Sequence, residues 1–91
     1  MKYQIILTTR FKKEYKQMLK RGVNPARFEK VLRLLQAGLP LPERCHNHRL
    51  VGTYEGFWEC HIQPDWLLVY TIDNGALVLT LMRTGTHSDL F

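Results

Sequence analysis

Four histidines, His46, His48, His61 and His87, all fall after residue 45 of this 91-residue chain. Histidine has an ordinary pKa of about 6.5, so one side chain can both take and give a proton near neutral pH. The run Phe57-Trp58-Glu59-Cys60-His61-Ile62 alternates as a strand does. If Trp58, Cys60 and Ile62 face a core, then Glu59, His61 and Gln63 face the other way. His48 opens a neighbouring short strand, and His87 follows the last strand, just past Gly85. Three imidazoles can thus meet on one side of a sheet. Asp65, after Pro64, and Arg83 add a carboxylate and a guanidinium.

Such a set suits one reaction in particular, internal transesterification of RNA. A general base takes the proton of the ribose 2′-hydroxyl, a cation steadies the phosphorane, and a general acid protonates the leaving 5′-oxygen. Histidines fit both proton roles, and an arginine fork fits the phosphate. No metal and no cofactor is required. Each residue also has a plainer use. His46 reads as a solvated surface residue, Asp65 as a turn former, and Arg83 as the end of a strand edge. A metal site built on Cys45-His46-Asn47-His48 with Cys60 and His61 has suitable ligand types. Its spacing matches none of the usual paired-ligand patterns, so no metal is assigned.

The elements that must position these residues are readable from pattern. Tyr3–Leu7 is a short apolar run, read as a first strand. Thr8 or Thr9 caps a helix whose stripe is Phe11, Tyr15, Met18 and Leu19, closed at Gly22. Asn24 and Pro25 start a second helix, with Phe28, Val31, Leu32 and Leu35 buried and Gly38 at its end. The short join predicts an antiparallel helix pair. Leu39–Asn47, with Pro40 and Pro42, reads as a loop. Strands follow at His48–Val51, Phe57–Ile62, Trp66–Ile72 and Ala76–Met82. Asp73-Asn74-Gly75 is read as the hairpin turn between the last two, with Asn-Gly taking the positive φ. The fold class is α+β, with a two-helix hairpin on one face of a mostly antiparallel sheet of four to five strands, as one domain. The other face is left without a covering element.

Composition narrows the partners. Thirteen Lys and Arg against eight Asp and Glu give a net charge of +5, which favours an anionic partner. On the first helix Lys12, Lys13, Lys16 and Lys20 fall off the apolar stripe, with Arg21 beyond them. They read either as a solvated face or as an RNA-docking surface. Two cysteines make no disulfide framework and read as reduced thiols. The run Ile5-Ile6-Leu7 after Met1-Lys2 is too short for a signal peptide, and no run is long enough to span a bilayer. A cytoplasmic protein without membrane partners is expected.

Three stretches together resemble one family. Residues 47–52 (Asn-His-Arg-Leu-Val-Gly), residues 59–70 from Glu59 to Tyr70, and residues 83–91 from Arg83 to Phe91 resemble the YafQ branch of the RelE-type toxins of bacterial toxin–antitoxin systems. The Leu-Pro-Leu-Pro run at 39–42 resembles that family's loop, while Arg49 stands where relatives often have proline. The resemblance covers essentially the whole chain. It implies a ribosome-dependent endoribonuclease that cuts messenger RNA in the ribosomal A site. It also implies a cognate antitoxin that blocks the activity, with operator DNA bound only through the antitoxin. By the same resemblance His48, His61, Asp65 and His87 are catalytic, Arg83 steadies phosphate charge, and Phe91 stacks on a displaced nucleotide. The competing expectation is a module of the same fold that binds RNA or a partner without cutting.

Overall fold

The structure, a computed structural model, describes residues 3–91; Met1 and Lys2, on which the N-terminal reading opens, lie outside them. Strand β1 (Gln4–Leu7) leads into helices α1 (Thr9–Lys20) and α2 (Pro25–Ala37). Strands β2 (His48–Arg49), β3 (Trp58–Gln63), β4 (Trp66–Asp73) and β5 (Val78–Gly85) follow, and a last helical turn α3 (His87–Leu90) closes the order. The sheet runs β1-β5-β4-β3-β2. Strand β1 is parallel to β5, and the other pairings are antiparallel. This is the expected α+β class, with five strands.

Local chemistry sets the helix ends. The Thr8 side chain accepts from the Phe11 N–H, and the Asn24 side chain from the Ala26 N–H. Each satisfies one of the donors that a helix leaves unpaired at its start. Gly38 closes α2 in the left-handed region at φ 73°, which costs glycine little. Phe11 and Met18 of α1 and Phe28, Val31 and Leu35 of α2 pack with Cys60, Ile62, Trp66, Leu68, Tyr70, Leu79 and Leu81 from the sheet. Burying each large apolar side chain contributes roughly 1.5–3 kcal/mol. Polar atoms inside this layer are matched. Trp66 Nε1–H donates to Thr84 Oγ1 at 2.8 Å, and the Thr84 hydroxyl donates on to the Leu67 carbonyl at 2.7 Å.

Several expectations are corrected. Leu19 is 39% exposed, because eight residues of α-helix carry it about 80° round the axis from Phe11. The strand beginning at His48 ends at Arg49. The following Gly52–Tyr54 segment is a 3₁₀ turn, as is Glu43–Cys45 within the expected loop. The β4–β5 turn spans residues 74–77, and its positive φ, 56°, falls on Leu77 rather than on Asn74 or Gly75. Asp73 Oδ1 accepts from the Ala76 N–H there, a local bond that shapes the longer turn. Gly85 does not break β5 but is its last residue, paired with Leu67. The second sheet face is not bare: Leu67 and Val69 are covered by Leu90 of α3, with Leu50, Phe57 and Met82 packed around them.

Candidate functional site

That second face carries the histidines, and α3 is the element that closes their site. Its start is a reciprocal cap. The Thr86 hydroxyl accepts from the Asp89 N–H at 3.2 Å, and Asp89 Oδ2 accepts from the Thr86 N–H at 2.9 Å, two unpaired donors satisfied at once. The same carboxylate takes both arms of Arg21, at 2.7 and 3.3 Å. Leu90 anchors the turn from below at 4% exposure. His87, the first residue of α3, is therefore held from three directions although its ring is exposed.

The Arg21 guanidinium, and after it the Thr86 backbone bond, hold the Asp89 carboxyl well below the usual carboxylate range. A lowered folded pKa contributes stability above the unfolded value, near 3.9, and loses it as pH falls through the folded value. Asp89 is near the surface, so solvent screening keeps the contribution small. Asp89→Asn is accordingly expected to lower the urea midpoint at pH 7 and to have almost no effect at the acid end, where wild type has lost the same interaction. Equal losses at both pH values would contradict this.

Strand β3 presents His61 as the alternation predicts, with Cys60 and Ile62 in the core behind it. His61 Nδ1 lies 3.2 Å from the Pro64 carbonyl. A carbonyl only accepts, so this nitrogen carries the hydrogen and the neutral ring keeps its lone pair on Nε2. His48 Nδ1 likewise donates to the His46 carbonyl at 2.6 Å, and its Nε2 lies 3.5 Å from Glu59 Oε1. Asp65 Oδ1 accepts from the His87 backbone N–H at 3.2 Å and sits 3.6 Å from His87 Nδ1. The rings of His61 and His87 are 5.7 Å apart, and Phe91 is 6.3 Å beyond His87. The structure thus brings together His61, His87, Asp65 and Phe91, with His48 joined to them through Glu59.

Arg83 is more constrained than the sequence suggests. Its guanidinium makes an ion pair with Glu14 of α1 at 2.6 Å and donates to the Tyr54 hydroxyl and the Asp89 carbonyl, each at 3.4 Å. Tyr54 in turn meets Phe91 edge-on at 5.6 Å. Arg83 therefore braces the wall on which Phe91 stands. Lys12, Lys13, Lys16 and Lys20 are exposed on α1, whereas Arg21 is taken up by Asp89.

Two groups escaped the sequence reading. His46 is exposed, as expected of a surface residue, but it also stands edge-on to His61 at 5.5 Å from a left-handed backbone at φ 45°, a neighbour that no periodicity announces. Glu59 was placed on the site's face by alternation but given no role. It is 4% exposed, and its Oε2 has no hydrogen-bond partner. Ligand atoms of Glu59, His61 and His87 all lie within 4.8 Å of one another, a donor set that suits a borderline divalent ion. The mixed Cys/His cluster considered from spacing does not form. Cys45 and Cys60 are buried in the helix-side core, where burial pushes both thiols up, away from the thiolate a metal needs.

Comparison with known proteins gives the site a context. Residues 3–91 match the family described as bacterial toxin of type II toxin–antitoxin system, YafQ. The mRNA interferase toxin YafQ of Escherichia coli K12 is 40% identical over 58 residues, 64% of this chain and 61% of the relative; the match thus spans under two thirds of that relative's length. A copper-bound mutant toxin from Helicobacter pylori superposes with a TM-score of 0.92 at 34% identity, covering 98% of this chain and 99% of the other. YafQ in the E. coli DinJ–YafQ toxin–antitoxin complex gives 0.90 at 32% identity, covering 100% and 99%.

Proposed function

The chain belongs to the YafQ family of bacterial toxins of type II toxin–antitoxin systems, and from that membership and the site's geometry we propose that it cuts messenger RNA in the ribosomal A site. The observation that carries the reading is the convergence of His61, His87 and Asp65, with Phe91 6.3 Å from His87. One imidazole takes the proton of the 2′-hydroxyl, the O2′–P bond forms, and the P–O5′ bond breaks as a second group returns a proton to O5′. The products are a 2′,3′-cyclic phosphate and a 5′-hydroxyl. His61, whose neutral ring keeps Nε2 free, is suited to the base role. His87, beside the Asp65 carboxylate, is suited to the acid role, because Asp65 steadies the ring while it holds a proton. His48 contacts the phosphate, Arg83, paired with Glu14, holds the Tyr54–Phe91 wall beside it, and Phe91 stacks on the displaced base. The exposed Lys12, Lys13, Lys16 and Lys20 dock on ribosomal RNA. A cognate antitoxin neutralises the enzyme, as the DinJ–YafQ complex suggests for its relative, and binds operator DNA for the pair. The enzyme works in the cytoplasm.

Proton transfer here runs through imidazole lone pairs. A divalent ion held by Glu59, His61 and His87, whose ligand atoms lie within 4.8 Å of one another, would occupy those lone pairs and so block proton transfer; a mutant relative from Helicobacter pylori is copper-bound. Primer extension on messenger RNA bound to purified ribosomes tests both points. Cuts are expected inside the A-site codon, and pre-loading the enzyme with an equivalent of Zn²⁺ is expected to suppress them. Blocked translation without new 5′ ends would favour the non-cleaving binding module instead.

A further inference from the structure

Beside the histidines, two cavities of about 400 Å³ each share a wall of Arg27, Arg44 and Ile62. One extends along the start of α2 past Lys30 to Leu34, with Val31 and Cys45 in its lining; the other opens at His46 and His61. Together they form one trough leading away from the imidazoles. Its cations are free for a ligand. Arg10, Arg21 and Arg83 each lie within ion-pair reach of a carboxylate, but among the described residues Arg27, Lys30 and Arg44 form no such pair. Carboxylates are absent from the lining of both cavities.

A polymer whose cleaved phosphate sits at His61 and His87 must leave the site on two sides. One side is the aromatic wall of Tyr54 and Phe91, which offers a ring to a base. On the other side lies the trough, with unpaired cations above an apolar floor. We propose that this trough carries the messenger RNA strand flanking the cut, its phosphates held by Arg27 and Arg44 and one base resting over Ile62 and His46. The assignment rests on the nuclease reading of the site. It makes Arg27 and Arg44 substrate-binding residues distinct from the proton-transfer set. Charge, continuity with the histidines and an apolar floor favour a nucleic-acid strand over an acidic stretch of the antitoxin, which lacks any requirement to reach His61.

The test compares wild type with the double variant Arg27→Glu/Arg44→Glu on programmed ribosomes. Both side chains are exposed, so the fold is expected to survive, and circular dichroism checks it. The apparent KM for cleavage should rise about tenfold or more with kcat within about threefold. The salt dependence of binding should weaken, since about two phosphate contacts are lost. The lysine pair Arg27→Lys/Arg44→Lys should recover most of the loss. Photocrosslinks from 4-thiouridine placed next to the cut should fall in the trough and not on α1. Unchanged cleavage, or crosslinks elsewhere, would overturn the assignment. Intact cleavage with weakened antitoxin binding would make the trough an antitoxin seat. No cleavage by wild type would instead sink the nuclease reading and is recognised as such.

Discussion

His87→Ala should lower the rate of messenger RNA cleavage by roughly 10²–10⁴-fold, the usual contribution of one positioned acid or base, and should abolish growth arrest on induction. Stability should change by no more than about 0.5 kcal/mol, as for other exposed positions. The side chain is 59% exposed, and among the described residues its ring neighbours are groups of the site, Asp65, His61, Phe91 and Glu59. The backbone N–H that binds Asp65 is kept by alanine, and alanine suits a helix. Cleavage by ribosome-bound enzyme in single turnover, beside a thermal melt, separates the two quantities. A variant that cuts at a tenth of the wild-type rate or better would remove His87 from proton transfer. His46→Ala also removes a neighbour of His61, but His46 lies under a flanking base and not on a transferred proton, so its loss should raise the apparent KM and leave the saturating single-turnover rate nearly unchanged.

What the sequence made legible follows from period and from local caps. Alternation along β3 separates Cys60 and Ile62 from Glu59 and His61 without any tertiary information, and the 3.6-residue stripe with Thr8, Asn24 and Gly38 bounds two helices. What stayed hidden depends on distant partners. Arg21 and Asp89 are 68 residues apart in the chain, and Arg83 and Glu14 are 69 apart. From sequence alone, Arg21 is one more cation near the end of a basic helix, and Arg83 is one more candidate for phosphate. Helix α3 is four residues long, too short for any periodicity to register, so the tail looks loose although it covers Leu67 and Val69. His46 shows the same limit: a left-handed turn can return any side chain to the sheet, and nothing in the residue's neighbours marks it.

Gly85 joins these two kinds of information, and Gly85→Ala is the second large effect. Read locally it is a strand breaker. In the fold it ends β5 as an ordinary extended residue, and the reason for glycine is space. A Cβ there would lie 2.9 Å from Asp89 Cβ and 3.0 Å from Asp89 Oδ2. Asp89 cannot simply swing aside. Its carboxylate is held by Arg21 at 2.7 Å and by the Thr86 N–H at 2.9 Å, so relief must come from moving α3 itself. His87 starts α3, and its distances to Asp65 and His61 move with it. A misplacement of about 1 Å at a reacting group costs on the order of 100-fold in rate. The overpacking should cost about 1–3 kcal/mol of stability. Gly85→Ala is therefore expected to fold, to melt somewhat earlier, and to lose about 100-fold in kcat. Asp89→Ala keeps the Cβ that the new methyl would meet at 2.9 Å but releases α3 from its cap and from Arg21, so the turn can shift to relieve the contact and adding Gly85→Ala to it should cost less than the two changes summed. Full activity in Gly85→Ala, or strict additivity with Asp89→Ala, would show that the seat of α3 does not govern where His87 stands.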